Sequence, residues 1–258
     1  MASFSARPPA SASRTTEIDG ARRRARAITN GIVLMRYTLR EGLYHCLAGP
    51  NVIFLDVSRN RYFALPAPCE EAFRRLVAQQ GESFPEVSDG LSTLIAAGHL
   101  VEKPSPGRCF HDIKIGPPRA DFAGRRKPAF HFFDVLLAMY WEAITSFRLR
   151  ILPLSAVLDQ ANRSGRGKAP SQDRIEGLIL SMLWAFDCTA FAFGRANRCL
   201  ARSLAMFSLC RSKGLEVQLV IGVRSPPFAA HAWVQYDDTV LNDTLEQTQY
   251  YSPIMVVG

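Results

Sequence analysis

The sequence predicts an α+β protein built from two folded units, and three observations lead to this prediction. Short β-rich runs precede helical periodicity in the first hundred residues, whereas long apolar helices precede β-branched runs in the second half. Between them, residues 104–127 are rich in Pro, Gly and Arg, which is typical of a linker. The 258 residues, of which 48% are hydrophobic and 21% charged, suffice for two small globular domains.

Residues 1–31 form a Ser/Ala/Arg-rich tail without apolar periodicity, which we expect to be disordered. This tail holds about half of the net charge of +8, so the remainder is only mildly basic and we expect no nucleic-acid partner. Its composition also resembles a transit peptide, which is the weaker interpretation. The chain shows no secretory apolar region, and its most apolar long stretch is interrupted by Asp134 and Glu142. We therefore expect a cytoplasmic protein without stable membrane insertion.

Residues 32–103 predict a winged-helix-like module. The runs "LYHCLA", "NVIFLDV" and "RYFAL" are separated by turn signals and indicate three antiparallel strands. Apolar residues at helical spacing from Cys69 to Val77 indicate a helix, a second helix is expected over 89–97, and "HLVEK" indicates a closing strand. The second helix carries no Arg or Lys, so an extended peptide added as a strand suits this module better than DNA does.

Residues 128–258 predict a helical layer followed by a small antiparallel sheet. Two long apolar helices and the stretch "CLARSLAMFSLCRSKG" come first, and "LEVQLVIGV", "AHAWVQY" and "TVLND" follow as strands. The chain has six cysteines but no CxxC pair, so we expect free thiols and no metal site.

Three residues in this second unit are of the types that nucleophilic catalysis needs: Cys199, His231 and Asp243. Such chemistry needs a thiolate, an imidazole that holds it ionised, and a carboxylate that orients the imidazole. We expect Cys199 at a helix N-terminus, where the macrodipole, Arg198 and a charged His231 all favour the thiolate. Each residue alone has a plainer interpretation: a buried cysteine, a core histidine and a turn aspartate. The order cysteine, strand histidine, strand aspartate favours the catalytic interpretation.

The hairpin that carries His231 and Asp243 sets a condition on this site. A two-residue turn at Asp237–Asp238 would place His231 opposite Thr244 and direct Asp243 to the other face of the sheet. We therefore predict a three-residue connection or a bulge around 237–239, and expect a regular two-residue hairpin to exclude Asp243 as the partner of His231.

The stretch "NRCLARSLAMFSLCRSKGLEVQLVIGV", followed by "FAAHAWVQYDDTVLND", resembles the transglutaminase-like peptidase of lasso-peptide biosynthesis, the B protein. The upstream stretch "NVIFLDVSRNRYFAL" is similar to PqqD-like precursor-recognition modules. Together they resemble the fused form of the B protein. The resemblance implies a PqqD-type winged-helix-like domain at 32–103 and a transglutaminase-like, papain-like domain at 128–258, joined by the linker.

The resemblance also implies roles for residues and partners. Cys199 would be the nucleophile, His231 the base and acid, and Asp243 the orienting group in removal of a leader peptide from a ribosomal precursor. An asparagine-synthetase-like partner would then close the macrolactam. The leader would bind as an added strand along one strand of the first unit and against its second helix, at Arg61, Tyr62, Phe63, Ala64, Leu91, Leu94 and Ile95.

Members of this family are described as needing ATP, but "SGRGKAPS" lacks the spacing of a phosphate-binding loop. We therefore expect no cofactor in this chain and ATP consumption by the synthetase. Two alternatives remain open. One is acyl transfer of the transglutaminase or arylamine-acetyltransferase kind, since the same triad forms the same thioester. The other is a binding protein without catalysis, either a peptide chaperone or a DNA-binding winged helix.

Overall fold

The computed structural model describes residues 35–82, 85–104, 110, 113, 115–122, 125, 131–163, 167–194 and 198–258. The basic tail predicted for residues 1–31 and much of the predicted linker lie outside these residues. The described chain combines helices with largely antiparallel sheets, as the α+β prediction requires.

The first unit contains the predicted meander and one strand pair that the sequence did not predict. Its elements are β1 (Met35–Leu39), β2 (Leu43–Ala48), β3 (Asn51–Asp56), β4 (Arg61–Ala64), α1 (Ala67–Ala78), α2 (Pro85–Ala96) and β5 (Leu100–Pro104). Strands β2, β3 and β4 form an antiparallel sheet with β4 at one edge. The closing strand β5 pairs with β1 instead of the meander. Helix α2 begins four residues before the predicted position, at Pro85, a favoured first helical residue.

The second unit places a helical layer against a five-stranded sheet. Its helices are α3 (Phe132–Ile151), α4 (Leu154–Arg163), α5 (Gln172–Phe193), α6 (Cys199–Ser212) and the short α7 (Leu245–Thr248). The sheet contains β6 (Ala120–Asp121), β7 (Gln218–Arg224), β8 (Ala229–Tyr236), β9 (Thr239–Val240) and β10 (Ser252–Val257), in the order β10-β7-β8-β9-β6. Strand β6 comes from the stretch predicted as linker and runs parallel to β9.

The two units share one hydrophobic core through β3. Alternate residues of this strand pack in opposite directions. Phe54 packs with the helices of the first unit, whereas Ile53 and Leu55 pack in the same cluster as the apolar residues of α6. A strand covered on both faces needs an unbroken apolar run, which is why "VIFL" lacks the alternation of a half-exposed strand.

Polar and steric contacts fasten the β2–β3 turn to the loop between β7 and β8. The amide of Asn51 donates to the Ser225 hydroxyl at 2.9 Å. Gly49 has a φ of +60°, and a Cβ at this position would lie 2.5 Å from the Ser225 carbonyl oxygen. Glycine is required here because of both its conformation and this close approach.

Helix α5 is long and apolar enough, by length and composition alone, to cross a membrane. The stretch that forms α3 was predicted to come closest to a membrane-spanning segment. That prediction was wrong, because α5 comes closer. The criterion is weak for α5 because core helices also meet it, and Ile179, Met182 and Phe186 of this helix are buried in the shared core.

Candidate active site

Helix α6 begins at Cys199, as predicted, and buried contacts hold its first turn in place. The guanidinium of Arg198 donates to the Phe193 carbonyl at 3.0 Å and the Ser146 hydroxyl at 2.6 Å, and it lies 3.6 Å from the Glu142 carboxylate. Glu142 is only 1% exposed. The charge of Arg198 is thus neutralised by Glu142, and the expectation that it activates the neighbouring thiol is not supported.

A second set of hydrogen bonds ties α6 to the sheet one turn further along. The Ser203 hydroxyl donates to the Ala232 carbonyl at 2.8 Å and accepts from the Asn242 amide at 2.8 Å. Asn242 also accepts from the Val234 backbone N–H at 2.8 Å. Helix, strand β8 and the segment after β9 are therefore held in one fixed arrangement around the N-terminus of α6.

The three predicted residues meet in an open pocket of about 370 Å³. Nε2 of His231 is hydrogen-bonded to Oδ2 of Asp243. The imidazole also forms a hydrogen bond with the Cys199 sulfur. Because Nε2 is engaged by Asp243, Nδ1 is the ring nitrogen left for the sulfur. The pocket is lined by Asp187, Cys199, Arg202, Ala230, His231, Ala232, Asn242 and Asp243.

The prediction about the hairpin was wrong, although the contact it was meant to explain is present. Gln235 pairs with Val240 and Tyr236 with Thr239, which is a regular two-residue turn at Asp237–Asp238 without a bulge. The prediction assumed that strand pairing continues to Asp243. Pairing instead ends when the Asn242 side chain takes the place of a backbone acceptor, and the chain then turns and directs Asp243 to His231.

Electrostatics in the pocket favour a thiolate–imidazolium pair. The hydrogen bond from His231 is the largest cause that lowers the pKa of Cys199 from 9.0; burial opposes it, and the N–H groups of Ala232 and Leu200 assist it. Burial by itself would lower the pKa of His231, but its bonds to Asp243 and Cys199 raise it to about 9. In contrast, burial raises the pKa of Cys46 to about 12.

These shifts predict the pH dependence of cysteine alkylation. We expect iodoacetamide to modify Cys199 at pH values below 9.0, since its lowered pKa keeps more of the thiol ionised there. The ion pair is lost as the pH rises through about 9, where His231 releases its proton. Mass spectrometry of alkylated peptides measures the rate. Asp243→Asn should move the inflection of the Cys199 rate to higher pH, and an unchanged inflection would contradict the proposed pairing.

The residues predicted to bind a leader are separated by the structure into two groups. Leu91 and Leu94 of α2 are 0% and 4% exposed and pack in the core of the first unit, so they cannot contact a bound peptide in this structure. This corrects their predicted role, because the helix uses its apolar face for its own core. Ile95 is half-buried, and Arg61, Tyr62, Phe63 and Ala64 lie on the edge strand β4.

A larger cavity of about 810 Å³ lies between the two units and contains none of the three residues. Trp233 and Tyr251 line it, and the rings of both lie beside that of His231, at centroid distances of 6.2 and 5.1 Å. The candidate site is placed in the smaller pocket because the thiol, imidazole and carboxylate meet there.

Sequence reasoning missed several residues of the site. Asn242 and Ser203 hold the backbone, and Arg202 forms an ion pair with Asp187 at 3.3 Å in the pocket wall. The position of Arg202, one helical turn after Cys199, already indicated that it lies near the thiol, but no sequence pattern indicated its ion pair with Asp187. The contacts of Ser203 with Ala232 and Asn242 join parts of the chain that no local pattern connects.

Comparisons with known proteins found one matching family model and a partial relative. Residues 141–256 match the family model of the transglutaminase-like superfamily. A 45-residue segment is 42% identical to the microcin J25-processing protein McjB of Escherichia coli. That segment is 17% of this chain and 22% of McjB, so the match spans about a fifth of the length of the relative. No solved structure matches the chain. The chain therefore contains a transglutaminase-like domain at residues 141–256, which confirms its resemblance to the transglutaminase-like B proteins of lasso-peptide biosynthesis.

Proposed function

We propose that the protein is a leader peptidase of lasso-peptide maturation. The observation that carries the proposal is the contact of Cys199, at the start of α6, with His231, whose Nε2 is held by Asp243 in an open pocket. The microcin-processing function of the partial relative McjB supports the substrate class. Such a role places the protein in the cytoplasm, where ribosomal precursors are made.

In this mechanism the Cys199 thiolate attacks the carbonyl carbon of the last leader residue. The backbone N–H of Cys199, at the first position of α6, lacks an acceptor in the helix ladder and can stabilise the oxyanion that develops. His231 gives its proton to the departing amine, which is the new N-terminus of the core peptide. A water molecule, deprotonated by His231, then hydrolyses the thioester and releases the leader.

The first unit would bind the leader by adding it as a strand to β4. Among the described residues, β4 has a strand partner only on its β3 side, so its other edge can donate and accept backbone hydrogen bonds. Of the residues predicted to bind the leader, the proposed leader-binding surface retains Arg61, Tyr62, Phe63, Ala64 and Ile95. The two leucines of α2 are excluded because they are buried.

The test incubates the protein with the precursor and the partner synthetase, with and without ATP. Mass spectrometry then identifies the products. We expect a free leader and, with synthetase and ATP, a core peptide lighter by one water. An added primary amine separates the alternative chemistry: hydrolysis leaves the leader with a free carboxylate, whereas acyl transfer leaves a leader amide. An intact precursor under all conditions would contradict peptidase activity and favour the binding-only alternative.

A further inference from the structure

Tyr62 of β4 faces the second unit, unlike its neighbours on the same strand. Phe63 stacks on Phe54 in the core of the first unit, with ring centroids 5.0 Å apart. Side chains alternate along a strand, so Tyr62 lies on the opposite face. Its ring contacts that of Phe228 at a centroid distance of 5.4 Å, and it packs against the shared core.

This aromatic pair lies next to the reacting groups. Phe228 precedes β8 directly and is three residues before His231, and the intervening Ala230 lines the pocket. Tyr62 is close enough for the charge on the Cys199 sulfur to act on it: burial first, and then that charge, raise the pKa of Tyr62 to about 12. Neither ring belongs to the wall of the pocket itself, so the pair lies outside the pocket that holds the three reacting groups.

Phe228 leaves a usable apolar surface, since 51% of it is exposed beside the site. The pocket wall formed by α5 and α6 is charged, through Asp187 of α5 and Arg202 of α6. An aromatic pair beside the site, with Phe228 exposed and Tyr62 half-buried, suits a ligand side chain of apolar character.

We propose that Tyr62 and Phe228 form an aromatic subsite, built by both units, that binds an apolar side chain of the precursor close to the scissile bond. This inference rests on the proposed peptidase function. Tyr62 thereby contacts the substrate close to the bond to be cleaved. This contact is separate from the binding of the leader as a strand along β4. The substrate-binding surface around the active site is therefore complete only when the first unit, which supplies Tyr62, is present.

The first experiment compares two substrates with the Tyr62→Ala and Phe228→Ala variants. One substrate is the full precursor, and the other is a short peptide that spans the cleavage site and lacks the upstream leader. Loss of one apolar contact in a subsite lowers kcat/KM by roughly 10-fold or more. We expect this loss with both substrates. Tyr140→Ala, at an exposed tyrosine on α3, is the matched control and should change neither. A loss with the full precursor alone would overturn the subsite and leave Tyr62 a docking residue.

The second experiment needs no peptidase activity. Iodoacetamide and N-phenylmaleimide both alkylate Cys199, but only the second carries a ring that the aromatic pair can bind. We expect Tyr62→Ala to reduce the phenylmaleimide-to-iodoacetamide rate ratio severalfold, and Tyr62→Phe to restore it. An unchanged ratio in Tyr62→Ala would overturn the subsite. A reduced ratio in a protein that cleaves no precursor would retain the subsite and reject the proposed function.

Discussion

Replacement of Cys199 with Ala is expected to abolish leader removal, with a loss in kcat of more than about 10³-fold. The sulfur at the start of α6 is the proposed nucleophile, and no other cysteine among the residues that line the pocket can take its place. Quantitative mass spectrometry of the released leader measures the loss. The half-buried side chain at the first position of α6 leaves the helix intact when shortened to Ala, which is itself a strong helix former.

Cys69→Ala is the matched control for this experiment. Cys69 lies in α1, is half-buried like Cys199, and is not among the residues that line the pocket. We expect normal cleavage from this variant. Full processing by Cys199→Ala, with Cys69→Ala equally active, would show that the thiol has no chemical role, and the protein would then be a binding component of the pathway.

Replacement of Glu142 with Ala is expected to destabilise the protein by roughly 3–5 kcal/mol, because it leaves the guanidinium of Arg198 unpaired in a mostly buried position. It also removes one of two acceptors of the Thr189 hydroxyl, which lies 2.5 Å from the Glu142 carboxylate and 2.7 Å from the Phe186 carbonyl. These contacts join α3, α5 and the start of α6. Urea denaturation followed by circular dichroism measures the free energy of unfolding.

Glu176→Ala provides the comparison for a surface ion pair. Glu176 is 62% exposed and pairs with Arg125, which is also exposed. Pairs of this kind contribute about 1 kcal/mol or less, so the unfolding midpoint should move little. Equal effects from the two variants would refute the view that Arg198 depends on Glu142. A stable Glu142→Ala variant that has lost only cleavage would instead assign Glu142 to positioning of Cys199.

Local patterns predicted many of the helices and strands, but they missed β1, α4, β6, α7 and β10, and they did not predict how the sheets are assembled. Periodicity and turn residues that are close in sequence predicted the meander, helix α1 and a strand at 99–103. The pairing of β1 with β5 joins segments about 65 residues apart, and β6 reaches β9 from the predicted linker. Such pairings depend on packing in the whole chain, which no short window contains. The likeness of the first unit to PqqD-like modules, and the domain boundary at residue 128, stay predictions.

The composition of the candidate site was predictable, while its geometry was not. Cys199, His231 and Asp243 were selected by residue type and order, and the structure brings them together. The geometric condition on the hairpin failed because it treated the strand as continuous. A single side chain, Asn242, ends the pairing one residue before Asp243. The proximity of Tyr62 to Cys199 depends on the docking of the two units, so local sequence contained no sign of it.

Strand β3 lies between two layers that come from opposite halves of the polypeptide. Deleting the second half would leave Ile53 and Leu55 of this strand in water, and deleting the first half would remove the strand from the core that it shares with α6. Calorimetry of the whole chain should accordingly record one melting transition, and the halves, if made as separate polypeptides, would need each other to fold.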